Sequence, residues 1–368
     1  LGKAYRYTRN EKYAEHFARL ISHWMDTVPL TEETKNSTWR SLEAGLRCEN
    51  WLRCLRLFEG SRALTEELRR KIVDCLAVHG NYLAKTSGDF HKLSNWGILQ
   101  DHGLFLVGVF LNRPEDVQLA LKRLDHQLRL QVMRDGSHWE QSPMYHCEVL
   151  HCCLDVLTIA QQNQTAIPES FAKRVHAMCT ALAKWLAPGG RMLCQSDSDD
   201  IDARDMLAQG ALLFQDGRLK FAAGENLFEE TIWDFGIEAL ESYQNLKKVC
   251  PETASSVLPD SGNYMLRSDF GENAGFLHMH CGCLGSGHGH ADLLHIDVGA
   301  YGEDILIDSG RYTYVDSPLR KLLKSPEAHN TTRVDETNFS SCIDSWGYSA
   351  LAQPVKGEYT FTDAADYL

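Results

Sequence analysis

Residues 287–310 read GHGHADLLHIDVGAYGEDILIDSG. Residues 292–300 and 304–308 are β-prone, and Tyr301, Gly302 and Glu303 between them have the chemistry of a tight turn. Upstream, residues 261–280 carry alternating and β-prone residues, among them Tyr264, Leu266, Phe276, Leu277 and Met279. Downstream, residues 331–334 read as one more strand. The whole stretch from about residue 255 is therefore expected to be β. The closing residues 357–368, GEYTFTDAADYL, read as strand and turn.

The preceding two-thirds has a different texture. Tyr13, Phe17, Leu20, Ile21 and Trp24 recur at three- and four-residue spacing, the signature of one apolar helix face. Thr38 is a candidate N-cap for the next helix. Further helices are expected over 65–86, 97–111, 114–133, 144–159, 168–186 and 202–214, joined by short connections with Gly, Pro, Asp or Asn. Such a series resembles a toroid or solenoid of paired helices more than one bundle. The expected fold class is α+β multidomain, with a helical domain over residues 1–254 and a β domain over 255–368. The opening residues, LGKAYRYTRNEKYAEHF, read as a helix already under way without an apolar signal region, which implies a truncated N-terminus.

Composition narrows the partners. The chain has 368 residues and 43% hydrophobic content, enough for large cores without staples. Its net charge of −13 argues against nucleic acid. No run approaches the roughly 18–20 apolar residues of a membrane span. The same charge would repel an anionic ligand unless a local basic cleft overcame it. The 12 cysteines form no CxxC pair and read as reduced core thiols, which points to the cytoplasm. Cys281 and Cys283 form a CxC near a histidine cluster, with a metal role as the lesser reading.

Three segments carry chemistry: HKLSNWGILQDHG with Asn95 at a helix start, DGSHWEQSPMYH with Glu140, Tyr145 and His146, and a β-region set of His288, His290, Asp292, Asp308 and His329. His-x-His on a strand points both rings to one face, whereas in a loop they can diverge. Two histidines with one carboxylate are a recurrent zinc ligand set, and a hydrogen-bonded histidine cluster without metal is the alternative. His278 and His280 repeat the spacing and read as strand positions near the site. Trp39, Glu43 and Arg47 lie at four-residue spacing. Arg47 reads either as an anion-binding group or as the ion-pair partner of Glu43. Trp96 and Trp139 read as sugar-stacking or core residues. The acidic run 196–205, SDSDDIDARD, reads as a solvated loop, with calcium binding the lesser reading.

Taken together, GHGHAD, IDSG, AHNT (328–331) and SPMYH (142–146) resemble the heparinase II/III family of polysaccharide lyases and the related alginate and oligoalginate lyases. The resemblance extends to WRSLEAGLRCENWL (39–52) and LPDSGNYMLRS (258–268), and so covers nearly the whole chain. It implies an incomplete α/α toroid followed by an antiparallel β-sandwich, the latter incomplete at its C-terminus. It implies Asn95, Tyr145 and His288 as catalytic residues, with Asn95 neutralising a substrate carboxylate. It also implies His290, Asp308 and His329 as ligands of a structural divalent metal, zinc in the family's usual description. Arg47, Trp96, Glu140 and His146 are the expected substrate contacts. The implied reaction is β-elimination in a uronic-acid polymer, heparan sulfate first, with alginate, hyaluronan or chondroitin as alternatives. A silent carbohydrate-binding protein and a metal-dependent hydrolase are the competing classes. The chain departs from several relatives in carrying Trp96 where they have His after the Asn. That departure favours glucuronate-like units, with His146 or His102 as compensating bases. The resemblance also implies a periplasmic or secreted location as the alternative to the cytoplasm.

Overall fold

The computed structural model describes residues 1–355, 357–362 and 365–368. Helices come first: α1 Gly2–Thr8, α2 Glu11–Thr27, α3 Ser41–Leu57, α4 Glu66–Lys85, α5 Asp89–Lys92, α6 Asn95–Phe110, α7 Pro114–Gln131, α8 Pro143–Gln162 and α9 Glu169–Trp185. They continue with α10 Arg204–Phe214, α11 Gly217–Ala223, α12 Glu229–Phe235 and α13 Glu238–Asn245. The strands follow: β1 Ser256–Leu258, β2 Asn263–Arg267, β3 Phe276–His280, β4 His295–Ala300 and β5 Glu303–Leu306. After them come a short helix, α14 Pro318–Leu323, and two strand pairs, β6 Ser341–Cys342 with β7 Tyr348–Ala350 and β8 Thr360–Phe361 with β9 Asp366–Tyr367. Helices followed by an antiparallel β-region is thus the architecture. Residues 363 and 364, within the closing stretch expected to be strand and turn, lie outside the described residues.

Helix starts follow local chemistry where a cap exists. Thr65 accepts from the Leu68 amide at 3.2 Å and opens α4, a cap interaction worth about 1 kcal/mol. Thr38 does not cap α3: that helix begins at Ser41, with Arg40 in the cap position and no side-chain cap. Residues 331–334 also differ from expectation. They form no strand, only an isolated bridge from Val334 to Thr337. Side chains tie this segment down in place of a ladder: Thr331 Oγ1 donates to Leu293 O, and Asn330 Nδ2 donates to Ile296 O and Ile307 O.

The chain packs as two compact units, residues 1–130 with 159–171, and residues 131–158 with 172–368. In the first, α6 is buried nearly all round, as expected of a helix apolar on every face. It meets α3 at two glycines. A Cβ on Gly45 would sit 2.2 Å from Leu99 O, and one on Gly103 2.6 Å from Gly45 Cα. Only bare backbones approach this closely.

In the second unit, Ala181 and Trp185 of α9 pack with Leu193, Leu258, Met265 and Phe276, so the helix anchors the first three strands. The five-stranded sheet runs in the order β1-β2-β3-β4-β5, all antiparallel. Its register sets His278 opposite Asp297 and His280 opposite His295. All four are buried. Period-two alternation thus turns a row of imidazoles and carboxylates inward. Among the described residues, no helix is long and apolar enough to cross a membrane.

Candidate active site and metal centre

The GHGHAD segment lies in a loop between β3 and β4. Its two histidines nevertheless converge on one carboxylate. His288 Nδ1 donates to Asp197 Oδ2 at 3.0 Å, and His290 Nε2 donates to Asp197 Oδ1 at 2.9 Å. Arg320 closes on the same group with two further bonds, Nη1 to Oδ1 at 2.5 Å and Nη2 to Oδ2 at 2.8 Å. Asp197 and Arg320 are both fully buried. Burial alone would raise the Asp197 carboxyl, but the bonds from His288, His290 and Arg320 outweigh it and hold the group well below the usual carboxylate range. Asp197 sits inside the acidic run expected to be a solvated loop. That expectation is corrected: Ser196, Asp197 and Ser198 are buried, and Ser198 Oγ pairs with Ser142 Oγ at 2.8 Å ahead of α8.

Tyr145, in the first turn of α8, lies face-on against His288, with ring centroids 3.6 Å apart and planes at 19°. Its hydroxyl is 2.8 Å from that of Tyr314. Trp346 stacks on Tyr314 and meets His288 edge-on. Burial first, and the Tyr314 contact while Tyr145 is the donor, push the Tyr145 phenol well above its ordinary value, and the Arg311 charge acts to lower it. Because Asp197 occupies Nδ1 of His288, Nε2 is the nitrogen left to meet a ligand.

Among the described residues, Arg311 bonds to Tyr314, Arg320 to Asp197 and Lys324 to the backbone next to His288. Both arginines are already paired, Arg311 with Asp199 and Arg320 with Asp197. Burial lowers Lys324 to about 8, and its ammonium donates to Gly287 O at 2.6 Å and Ser345 O at 3.2 Å. It thus holds the histidine loop from behind.

His290, Asp308 and His329 form a buried group whose ligand atoms all lie within 4.8 Å of one another. His290 spends its Nε2 proton on Asp197, and His329 spends its Nδ1 proton on Asp308 Oδ2 at 3.2 Å. That leaves His290 Nδ1 and His329 Nε2 buried without a hydrogen-bond partner. Two orphaned imidazole nitrogens beside a carboxylate fit a divalent cation, since a buried polar atom without a partner is otherwise costly. Burial keeps His290 below the ordinary imidazole value, in the neutral form a metal requires. Cys281 and Cys283 are not in this group. All twelve cysteines are free thiols.

The other expected residues are placed as follows. Glu140 is buried, with Oε2 4.0 Å from His138 Nδ1. His146 is fully buried and used at both nitrogens: Nδ1 accepts from the His138 amide at 3.2 Å and Nε2 donates to Met178 O at 3.1 Å. A substrate contact or a compensating base at His146 would need one of these bonds to open. Successive residues on a helix point about 100° apart, so Tyr145 and His146 cannot share a face. His278 and His280 are strand residues bonded to Asp297 and Asp292, as read from the sequence.

Asn95, Arg47 and Trp96 belong to the first unit. Asn95 is buried in the first turn of α6. Trp96 is half-buried, edge-on to Phe90 and under the Arg40 guanidinium. Arg47 does not pair with Glu43, which Arg40 takes. Its guanidinium lies over Trp24 and Trp39, and Nε donates to His79 Nε2 at 3.1 Å. His102 is buried, 3.8 Å from Glu49.

A family profile described as Heparinase II/III N-terminus matches residues 1–219, and one described as Heparinase II/III-like, C-terminal, matches residues 251–366. A heparin-sulfate lyase of Pedobacter heparinus is 23% identical over 91% of this chain and 50% of its own length. One from Bacteroides stercoris is 22% identical over 92% of this chain and 52% of its own. The chain thus spans about half the length of these relatives. Among solved structures, a heparinase III superposes with a TM-score of 0.76 at 19% identity, covering 92% of this chain and 53% of that one. A heparan sulfate lyase from Pedobacter heparinus gives 0.66 at 21% identity, over 92% and 52%. These likenesses show the fold.

Proposed function

Because this chain belongs to the heparinase II/III family of polysaccharide lyases, we propose that it cleaves a uronic-acid-containing glycosaminoglycan, heparan sulfate or its oligosaccharides, by β-elimination. The observation that carries the reading is the stacking of Tyr145 on His288, with Asp197 fixing the imidazole from behind. In this reading Asn95 and His288 hold the uronate carboxylate. Donors there stabilise the enolate-like charge that develops when C5 loses its proton. Tyr145 as phenolate takes the C5 proton, the C4–O bond breaks as the C4=C5 bond forms, and the same proton passes to the leaving oxygen. An unperturbed tyrosine is about 4 kcal/mol from ionisation at pH 7, and burial adds to that cost, so a nearby positive charge is needed.

His290, Asp308 and His329 would hold a divalent metal, zinc by its donor set, with a structural role. The ion would supply cross-linking of the His288 loop to the segments carrying Asp308 and His329. Trp96 after Asn95 favours glucuronate-like units, since neither His146 nor His102 is exposed to act as an opposite-face base. Arg47, Trp96 and Glu140 remain candidates for subsite contacts. Elimination leaves a 4,5-unsaturated uronate that absorbs in the ultraviolet. The intact protein should generate this absorbance from heparan sulfate ahead of hyaluronan, chondroitin and alginate, and Tyr145→Phe should abolish it. New reducing ends without absorbance would replace the lyase reading with a hydrolase.

A further inference from the structure

Behind the Tyr145 hydroxyl runs a chain of polar contacts. Arg311 donates from Nη1 to the Tyr314 hydroxyl at 3.0 Å. Asp199 fixes Arg311 with two bonds, Nε to Oδ1 at 3.1 Å and Nη2 to Oδ2 at 2.5 Å. The backbone brings these partners together at Gly310, which has φ +58° and lies so close to the 196–200 loop that a Cβ would meet Ser198 O at 2.8 Å. Tyr314 is held flat by Trp346, with ring centroids 5.2 Å apart and planes at 15°.

We propose that Arg311, anchored by Asp199, acts through Tyr314 to orient Tyr145 and to stabilise the negative charge its phenol carries during turnover. The argument is one of donor direction. A guanidinium can only donate, so the Tyr314 oxygen accepts from Arg311 and its own single proton is free to point at Tyr145. When Tyr145 is neutral, either hydroxyl can be the donor. When Tyr145 is ionised, only Tyr314 can be, and the order becomes Arg311 to Tyr314 to Tyr145. A hydroxyl bonded to a phenolate is a charge-assisted contact, about twice as strong as a neutral one. The relay is thus strongest when Tyr145 is ionised, and it raises the fraction of the enzyme that holds the base in its competent form. It also supplies the cation that a buried base requires, without placing an arginine against the sugar.

The inference rests on Tyr145 as the base. The charged and titratable groups facing the two phenols are His288 and Asp197, Asp199, and Arg311 and Arg320 from the segment after β5. Tyr314→Phe keeps the stacked ring and removes the proton; Arg311→Met removes the cation; Arg311→Lys restores charge without the fork.

The test is the pH profile of kcat for the intact protein, followed by ultraviolet absorbance on the preferred polymer of the panel above. In Tyr314→Phe and Arg311→Met, kcat should fall roughly tenfold to a hundredfold with KM changed by less than about twofold. The acid limb should move up by about one pH unit. Arg311→Lys should recover part of both, which a merely structural arginine would not do. If Tyr145→Phe is inactive while both other variants keep the wild-type limb and kcat, the relay is overturned and Tyr145 stands. If the wild type gives no unsaturated product, or Tyr145→Phe keeps its turnover, the assignment of Tyr145 falls and the relay with it.

Discussion

Asp197 and Arg320 form a two-pronged ion pair from which water is excluded, and neither side chain has measurable exposure. A pair of this kind is expensive to break from one side, because the survivor is left as an uncompensated buried charge. Asp197→Asn is expected to cost about 3–5 kcal/mol of stability, measured by chemical unfolding. Removing both charges together, as Asp197→Asn with Arg320→Met, should cost less than Asp197→Asn alone. A double variant as unstable as the sum of the singles would show that the two residues do not act as a pair.

The orphaned nitrogens of His290 and His329 lead to a second expectation. Elemental analysis of the purified protein should find about one divalent ion per chain, and His329→Ala should lose it. Chelation should lower the melting temperature of the wild type and leave that of His329→Ala unchanged. Asp197→Asn, which removes the partner of the His290 ring, should weaken metal binding by roughly 10–100-fold. Metal-free protein with an unaltered melting temperature would count against the site.

Gly45 gives a test of packing far from any chemistry. Its hydrogen points at the Leu99 carbonyl, and an added methyl would sit 2.2 Å from that oxygen. Backbone cannot step aside as a flexible side chain can, so α3 and α6 must separate. Gly45→Ala should destabilise by roughly 3 kcal/mol, at the upper end of overpacking effects, despite alanine's better helix propensity. A neutral or stabilising effect in thermal unfolding would show that these helices do not touch here.

Asp101 gives a dependence on pH. Burial raises its carboxyl to about 7 from 3.8, against the opposing bonds from Arg123 and Gln127. A carboxyl raised on folding binds more protons in the native state between those two values. Its contribution is therefore fully present below about pH 3.8 and is lost as pH rises through about 7. Stability should fall across that window with a slope of at most about 1.4 kcal/mol per pH unit from this group. Asp101→Asn should flatten it, as read from melting temperatures between pH 4 and 7.

The order of elements was legible because its signals are local. Residues 13–24 show one apolar helix face, and residues 301–302 show a turn that the structure builds with φ of 58° and 81°. His290, Asp308 and His329, the set the family resemblance implied, do assemble. Asp197 was missed because nothing local separates it from Asp199 or Asp200: its partners His288, His290 and Arg320 lie 91, 93 and 123 residues away. Tyr314 was missed for a related reason. The segment RYTY offers two tyrosines, and only folding distinguishes Tyr312, 79% exposed, from Tyr314, which is turned inward. His146 is turned away from the face that carries Tyr145, and both of its ring nitrogens have partners inside the fold, which its place in the sequence does not show.

The two oxygens of Asp197 divide their attention between the ring proposed to meet the sugar and the ring proposed to hold the metal. The two sites therefore cannot be tuned separately. An ion of different size, tugging on His290, would be felt through that shared carboxylate at His288, some residues away from any ligand it touches. If the proposed metal and substrate roles hold, metal exchange would adjust how His288 is held without altering a single side chain.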